Sequence, residues 1–300
     1  MPTNSIYYEN MLTRLAGAAI YSPDLPDETA ESTLRALWLT AAGDTCSAQE
    51  AMKRQLPTLN PEQQSALNAL VEERLGNTPL ANLTGRVNFL GLELLYEPGV
   101  LAPRPETEIL GYAASEIINR IERQSGTVLG IDMGCGCGNL SCALAARHRS
   151  LRLMSIDITE SCVAMTRRNV AFLNLGERVT VYQGDMFAPL GDLDIRVNVD
   201  FIVSNPPYIP SNKLQSNLSH LLDHEPREAF DGGVYGFAVH QRLIRESLGL
   251  LKPGGYLLFE FGLGQERQID ALFRRAKGYS PVEYKTDEGG NPRVAVSCKV

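Results

Sequence analysis

The sequence predicts an α/β fold: a mostly parallel sheet with helices on both faces and a closing antiparallel hairpin, preceded by a small helical domain. Three observations predict it. From residue 127 onward, apolar runs of strand length alternate with helical stretches. Those runs are continuously apolar, the pattern of strands buried on both faces. Residues 1 to about 80 read as helical instead. The expected division is a helical recognition domain over 1–80, a β-hairpin linker over 81–110 and a ligand-binding α/β domain over 111–300.

In the first region, "AESTLRALWLTAAG" (30–43) spaces Leu34, Leu37 and Trp38 along one helix face and ends near Gly43. "NPEQQSALNALVEERLG" (60–76) is more fully marked. Asn60 can cap, Pro61 suits the first helical position, Gln63 stands at the capping-box position and Gly76 ends the run. Leu67, Leu70, Val71 and Leu75 form its apolar face. On periodicity alone these helices make a small bundle with no chemistry of its own. "RVNFLGLELLYEPG" (86–99) predicts a hairpin bending at Gly91. The prolines of "VLAPRPETEIL" forbid regular structure around Arg104, and a helix resumes in "ETEILGYAASEIINRIE". Strands are predicted at 127–134, 151–158, 178–185, 199–205 and 255–262. "SPVEYKTD" and "RVAVSCKV", joined by "EGGNP", predict the closing hairpin.

The bulk properties narrow the function. Three hundred residues are enough for one large domain or two modest ones. The 44% apolar and 21% charged content is that of a soluble globular protein. A net charge of -7 argues against sequence-independent nucleic-acid binding, which needs a basic surface. "MPTNSIYYEN" has neither the basic nor the apolar stretch of a signal peptide. No run approaches the roughly 18 apolar residues of a membrane span. Six cysteines without framework spacing predict reduced thiols and a cytoplasmic location.

"IDMGCGCGNL" sets Gly134, Gly136 and Gly138 between a strand and a helix, where glycine lets the backbone approach a ligand at the helix N-terminus. Asp157 follows at the end of the next strand, placed to accept from ribose hydroxyls, with Ile158 beside it. Asp185 and Met186 end the third strand and could flank an adenine edge. Two ligands suit this pattern, a dinucleotide and S-adenosylmethionine. The spacing is G-x-G-x-G with Asp132 just before it, not G-x-G-x-x-G, which favours S-adenosylmethionine because it has no pyrophosphate to cradle. The plainer alternative is a tight turn with no ligand. Cys135, Cys137 and Cys142 do not predict a metal site, since Cys135 and Cys137 are closer than a C-x2-C knuckle.

The fourth strand of such a sheet lies beside the first, so its C-terminal end opens into the same crevice. There "NPPY" offers acceptors without competing donors. Pro206 and Pro207 have no N–H, and Asn205 adds a side-chain oxygen. Two acceptors at a fixed separation suit a planar NH2 group, and the Tyr208 ring can lie against its plane. Holding both N–H bonds aims the nitrogen lone pair and stabilises positive charge growing on nitrogen. A proline-rich exit turn with an incidental Asn is the bland alternative. His220 and His224 stand four apart, but no third ligand is evident and no metal is expected. The polar "SNKLQSNLSHLLDHE" (211–225) suits a mobile flap over the acceptor.

"VLAPRPETEIL", "IDMGCGCGNL", "VSNPPYIP", "EPREAFDGGVYGFAVHQRLI" and "LKPGGYLLFEFGLGQ" occur in the order seen in glutamine N5-methyltransferases. Over roughly residues 74 to 300 the chain resembles the branch that modifies the GGQ glutamine of peptide-chain release factors. It departs from the family's pattern in the two cysteines of "GCGCG" and in "EGGNPRV". The resemblance implies a Rossmann-like class I methyltransferase domain at 111–300, with S-adenosylmethionine as cofactor. Gly134, Gly136 and Gly138 would face its methionine portion, Asp157 the ribose, and Asp185 with Met186 the adenine. Arg104, Pro105, Glu106 and Thr107 would line the site from the hairpin side. Asn205, Pro206, Pro207 and Tyr208 would hold the acceptor amide, with Glu225 and Arg227 near its channel or bracing it. The implied partner is a release factor met by a monomer, without nucleic acid or membrane. Three rivals remain open: a base methyltransferase acting on a flipped base, a paralogue with a small-molecule acceptor, and a cofactor-binding protein without catalysis.

Overall fold

A side-chain cap at Asn60 starts a helix at Pro61, where the sequence places it. The computed structural model describes residues 2–19, 21, 25–191, 198–211, 229–233 and 236–300. Two units emerge, Met1–Pro98 with Ala102–Pro105, and Gly99–Leu101 with Glu106–Val300. The first holds α1 (Pro2–Ala18), α2 (Ala30–Ala42), α3 (Ala48–Ala51), α4 (Pro61–Leu75), α5 (Leu80–Thr84) and a hairpin of β1 (Arg86–Phe89) and β2 (Leu92–Leu95). Thr29 and Ser32 cap α2 reciprocally, as Asn60 and Gln63 cap α4. The capped helices bury Leu15, Leu34, Leu37, Leu67 and Val71 around Trp38, whose Nε1 donates to the Pro57 carbonyl at 2.8 Å. Each such apolar side chain contributes about 1.5–3 kcal/mol by leaving water.

Both central residues of the hairpin turn, Leu90 (φ 53°) and Gly91 (φ 78°), are left-handed, as a two-residue primed turn requires. Leucine there costs about 1–2 kcal/mol, and burial of its side chain offsets the strain. The hairpin packs with α3 and α5. Ser47 donates its hydroxyl to Glu93 at 2.6 Å, and Phe89 and Leu94 are buried. The second unit resumes at Glu106, one residue before α6.

The second unit is built on a seven-stranded sheet among the described residues, ordered β5-β4-β3-β6-β7-β9-β8. Its strands are β3 (Val128–Met133), β4 (Leu151–Asp157), β5 (Val179–Gln183), β6 (Val199–Ser204), β7 (Leu251–Glu260), β8 (Glu283–Thr286) and β9 (Pro292–Cys298). β3 to β7 pair in parallel, and β9 and β8 close the sheet antiparallel. The flanking helices are α6 (Thr107–Ser125), α7 (Asn139–Arg147), α8 (Glu160–Phe172), Ala238–Ser247 and Glu266–Ala276. Ile131, Ile156, Ile202, Leu257 and Phe259 fill the core between sheet and helices. This is the Rossmann-like architecture expected. The chain reverses direction of travel across the sheet between β3 and β6, so the loops after these two strands flank one crevice. Ser204 ties the two strand ends, its hydroxyl donating to the Met133 carbonyl at 2.6 Å.

Two boundaries differ most from expectation: β5 ends at Gln183, so Asp185 and Met186 lie just beyond the strand rather than ending it, and β7 begins early. β7 starts at Leu251, not at residue 255, because Lys252, Pro253 and Gly254 form an irregularity within it. Val199 pairs with Leu251, and regular pairing resumes at Phe201 with Tyr256. Among the described residues no helix is long and apolar enough to cross a membrane.

Candidate active site

The loop after β3 needs glycine for its backbone. Gly134, Gly136 and Gly138 have φ of 73°, 55° and 83°, a region L side chains rarely adopt. The N–H groups of Gly134 and Cys135 both donate to the Ile156 carbonyl, at 2.8 and 3.0 Å, anchoring the loop to β4. A Cβ on Gly134 or Gly136 would meet no atom within 4 Å, so the backbone there faces open space. On Gly138 it would press on Thr166 at 2.9 Å, because the start of α7 packs tightly on α8.

Asp157, at the end of β4, holds this loop in shape. Its Oδ2 accepts from the Gly136 N–H at 3.0 Å and its Oδ1 from the Thr159 N–H at 2.9 Å. Burial pushes its carboxyl above the usual range, and the two N–H groups pull it back. Ile158 beside it is 60% exposed, a large apolar side chain at the crevice. Asp132 lies beneath the loop, fully buried. Its Oδ2 accepts from the Ser141 N–H at 3.1 Å and the Ser141 hydroxyl at 2.5 Å, and burial pushes its carboxyl up to about 7. Cys135, Cys137 and Cys142 are buried too, and burial pushes the Cys137 thiol up to about 12. Asp185 is gripped by Arg242, which donates to both its oxygens at 2.9 and 3.0 Å. Met186 is buried at φ 50°.

The NPPY turn follows β6 and is held by a chain of side chains. Asn205 Nδ2 donates to Thr107 Oγ1 at 2.9 Å. Thr107 Oγ1 donates to Glu260 Oε2 at 2.7 Å, and Tyr208 OH donates to Glu260 Oε1 at 3.1 Å. Among the described residues no donor reaches Asn205 Oδ1. Glu260 is 1% exposed at the end of β7. Its burial pushes the carboxyl up, opposed by the Thr107 and Tyr208 hydroxyls and by Arg293. Gln265 holds the backbone: its Nε2 donates to the Tyr208 carbonyl at 3.1 Å and its Oε1 accepts from the Gly262 N–H at 2.9 Å. Residues 230–233 pair with the turn's exit, Ile209 exchanging bonds of 3.0 and 2.9 Å with Phe230 and Gly232. Gly236, at φ 77°, lies so close that a Cβ would sit 2.5 Å from the Tyr208 carbonyl. His240 donates from Nε2 to the Glu260 carbonyl at 3.1 Å, and burial lowers its pKa to about 4.

The structure thus gathers Gly134, Gly136, Gly138, Asp157, Ile158, Asn205, Pro206, Pro207 and Tyr208 at the C-terminal ends of neighbouring strands. Thr107 is buried, with its hydroxyl engaged by Glu260 and Asn205. Glu106 lies 3.9 Å from Arg293. Arg104 and Pro105 belong to the first unit. Glu225 and Arg227, His220 and His224, and most of the flap expected at 211–225 lie outside the described residues. Among the described residues no group of three His, Cys, Asp or Glu could hold a metal ion. Glu260 and Gln265 escaped sequence reasoning. The signal for Glu260 was a lone carboxylate inside the apolar run "YLLFEFG", a charge that a buried strand keeps only with partners.

A family model described as "Methyltransferase small domain" matches residues 109–234. The release factor glutamine methyltransferase of Geobacter sulfurreducens is 33% identical over 79% of this chain and 78% of its own length. That of Caulobacter vibrioides is 34% identical over 80% of each. The Salmonella typhimurium enzyme is 35% identical over 79% of this chain and 81% of its own. Among solved structures, the hMettl16 catalytic domain in complex with MAT2A 3'UTR hairpin 6 superposes with a TM-score of 0.52 at 18% identity, covering 82% of this chain and 84% of that one. The T. thermophilus 16S rRNA N2 G1207 methyltransferase, in complex with AdoMet and guanosine, gives 0.51 at 18% identity over 72% of this chain and 50% of that one. At these identities the two structures speak for the fold alone.

Proposed function

The chain belongs to the release factor glutamine methyltransferase family, and from that membership we propose that it methylates the side-chain nitrogen of a release-factor glutamine, using S-adenosylmethionine. The observation that carries the proposal is the direction of the Asn205 amide. Its nitrogen is bound to Thr107, which leaves its oxygen to accept from an incoming NH2 group. Pro206 adds a carbonyl with no N–H on the following proline to compete for it.

S-adenosylmethionine supplies an electrophilic methyl group on a sulfonium. The residues present fit it. Gly134 and Gly136 leave open space beside the loop, Asp157 keeps lone pairs for ribose hydroxyls, and exposed Ile158 offers an apolar face for a base. Asp185 and Met186, just beyond the end of the adjacent strand, are assigned to the adenine edge. Asn205 Oδ1 and the Pro206 carbonyl then take one N–H bond each of the acceptor amide, so its lone pair points out of their plane. The Tyr208 ring packs on the amide. Both acceptors are fixed before the reaction and oppose the positive charge that grows on nitrogen. The methylated nitrogen releases its proton to water, so no strong base is needed.

An exocyclic amino group of a base would satisfy the same two acceptors. The relatives' protein substrate and the net charge of -7 favour glutamine over a base, and over a small-molecule amine. We assign the helical unit and its hairpin to recognition of the protein acceptor, and the enzyme to the cytoplasm as a monomer; six unpaired cysteines fit that compartment. The test is mass spectrometry of a purified release factor incubated with the enzyme and methyl-labelled S-adenosylmethionine. One labelled methyl on the GGQ glutamine is expected. Label on no glutamine, or on a nucleic acid or small amine instead, overturns the proposal.

A further inference from the structure

We infer that Glu260 and Thr107 are positioning residues that set the hydrogen-bond direction of Asn205, and so decide whether its oxygen or its nitrogen meets the acceptor. The inference rests on the reaction proposed above.

An amide side chain is nearly symmetric in shape, so packing alone does not distinguish its two ends. A neighbour with a fixed donor or acceptor character must do so. Asn205 touches Thr107, whose hydroxyl can donate or accept and therefore imposes no direction by itself. The direction enters at Glu260. An ionised carboxylate only accepts. It takes the Tyr208 hydroxyl on Oε1 at 3.1 Å and the Thr107 hydroxyl on Oε2 at 2.7 Å. With its proton committed to Glu260, Thr107 has only lone pairs left for Asn205. It accepts from Nδ2 at 2.9 Å, and Oδ1 is turned the other way. Reversing Asn205 would set two oxygens against each other at Thr107, and its NH2 group against the acceptor's NH2.

Burial strengthens the device. Glu260 is 1% and Thr107 1% exposed, so water does not compete for either group. Burial pushes the Glu260 carboxyl up, and the two hydroxyls and the Arg293 charge oppose that push. The three anchors come from separate elements: Thr107 opens α6, Glu260 ends β7 and Asn205 follows β6. Their meeting explains why a carboxylate follows the apolar run of residues 256–259.

The test compares Thr107→Val, Thr107→Ser, Glu260→Gln and the double variant Thr107→Val/Glu260→Gln. Valine keeps the shape of threonine and removes the hydroxyl, and serine restores it. Glutamine offers one acceptor and one donor. A phenol donates better and accepts worse than an aliphatic hydroxyl, so the glutamine oxygen stays with Tyr208 and its NH2 faces Thr107. The Thr107 proton then turns toward Asn205 and reverses it. Steady-state kinetics with a purified release factor should show Thr107→Val and Glu260→Gln each losing about 10- to 100-fold in kcat. KM for the protein and the Kd for S-adenosylhomocysteine should stay within about threefold, since neither ground-state complex depends on one hydrogen bond of this kind. Thr107→Ser should return kcat to within about threefold of wild type. The double variant should be no slower than the slower single variant, because both changes break one relay. A wild-type kcat in Thr107→Val or in Glu260→Gln, or losses that multiply in the double variant, overturns the inference. Thermal melts confirm that each variant is folded, and Glu260→Gln tests the relay independently if Thr107→Val is not. If the wild-type enzyme labels no glutamine, the proposed reaction fails instead.

Discussion

At Asn205 a carbonyl oxygen and an amino group share one carbon, and only one of them can face the acceptor proposed for it. Asn205→Ala should therefore spare the cofactor complex and lose about 10²- to 10³-fold in the chemical step. Single-turnover kinetics at saturating cofactor will read this directly, and an unchanged rate would reduce NPPY to a rigid exit turn. His240 makes a prediction of a different kind. Burial lowers its pKa from 6.5 to about 4, so between those values the unfolded chain binds the proton and the folded one does not. Its neutral form therefore supports folding above about pH 6.5, and that support fades as pH falls toward 4. Asp132, pushed up to about 7, acts in the opposite sense: its folded form holds a proton that the unfolded form releases above about pH 4, so stability from this group falls as pH rises. The two slopes oppose each other in wild type. His240→Gln removes one of them. Between pH 7.5 and 5 the variant should gain about 2 kcal/mol relative to wild type, measured by urea unfolding at each pH.

Among the elements, residues 230–233 and Gly236 act as a brace for the NPPY turn. Gly236→Ala combines a left-handed backbone with a Cβ placed 2.5 Å from the Tyr208 carbonyl. It should cost more than the 1–2 kcal/mol of backbone strain alone and should also slow turnover by displacing Tyr208. Gly43→Ala is the control. It has φ 90° at the end of α2 with nothing within 4 Å, so it should lose stability from strain only and keep its turnover number. Thermal melts and kcat for the two variants separate brace from strain. The elements also show what a sequence can carry. α2 and α4 were legible to within a residue because their ends are marked by local groups, Gly43, Asn60, Pro61 and Gln63. The strands were legible from unbroken apolar runs, and the glycine loop and NPPY from their place at strand ends. The early start of β7 was hidden, since Pro253 and Gly254 read as a turn and only pairing with Val199 shows a strand. Glu260 was hidden because its three partners are supplied by residues more than 50 positions away or by another strand, which no local pattern encodes.

For the whole molecule, the glycine loop and the NPPY turn both lie within Glu106–Val300, so ligand linkage should act there. S-adenosylhomocysteine at a hundred times its Kd should stabilise that unit by about 2.7 kcal/mol. Hydrogen exchange should slow most in β3, β4 and β6, and amides of α2 and α4 should gain no comparable protection. Equal protection in both units, or none in either, contradicts this assignment of the binding site. The cysteines carry a further consequence for a protein that handles a methylating agent. Sulfur is the strongest nucleophile a side chain offers, but only as the thiolate. All six thiols here are pushed upward chiefly by burial, Cys46 to about 11 and Cys137 and Cys162 to about 12. At neutral pH a thiol near 12 is ionised in about one molecule in 10⁵. On the cofactor placement proposed above, two cysteines sit in the loop facing a sulfonium, and the burial that raises their thiols should keep them from capturing its methyl.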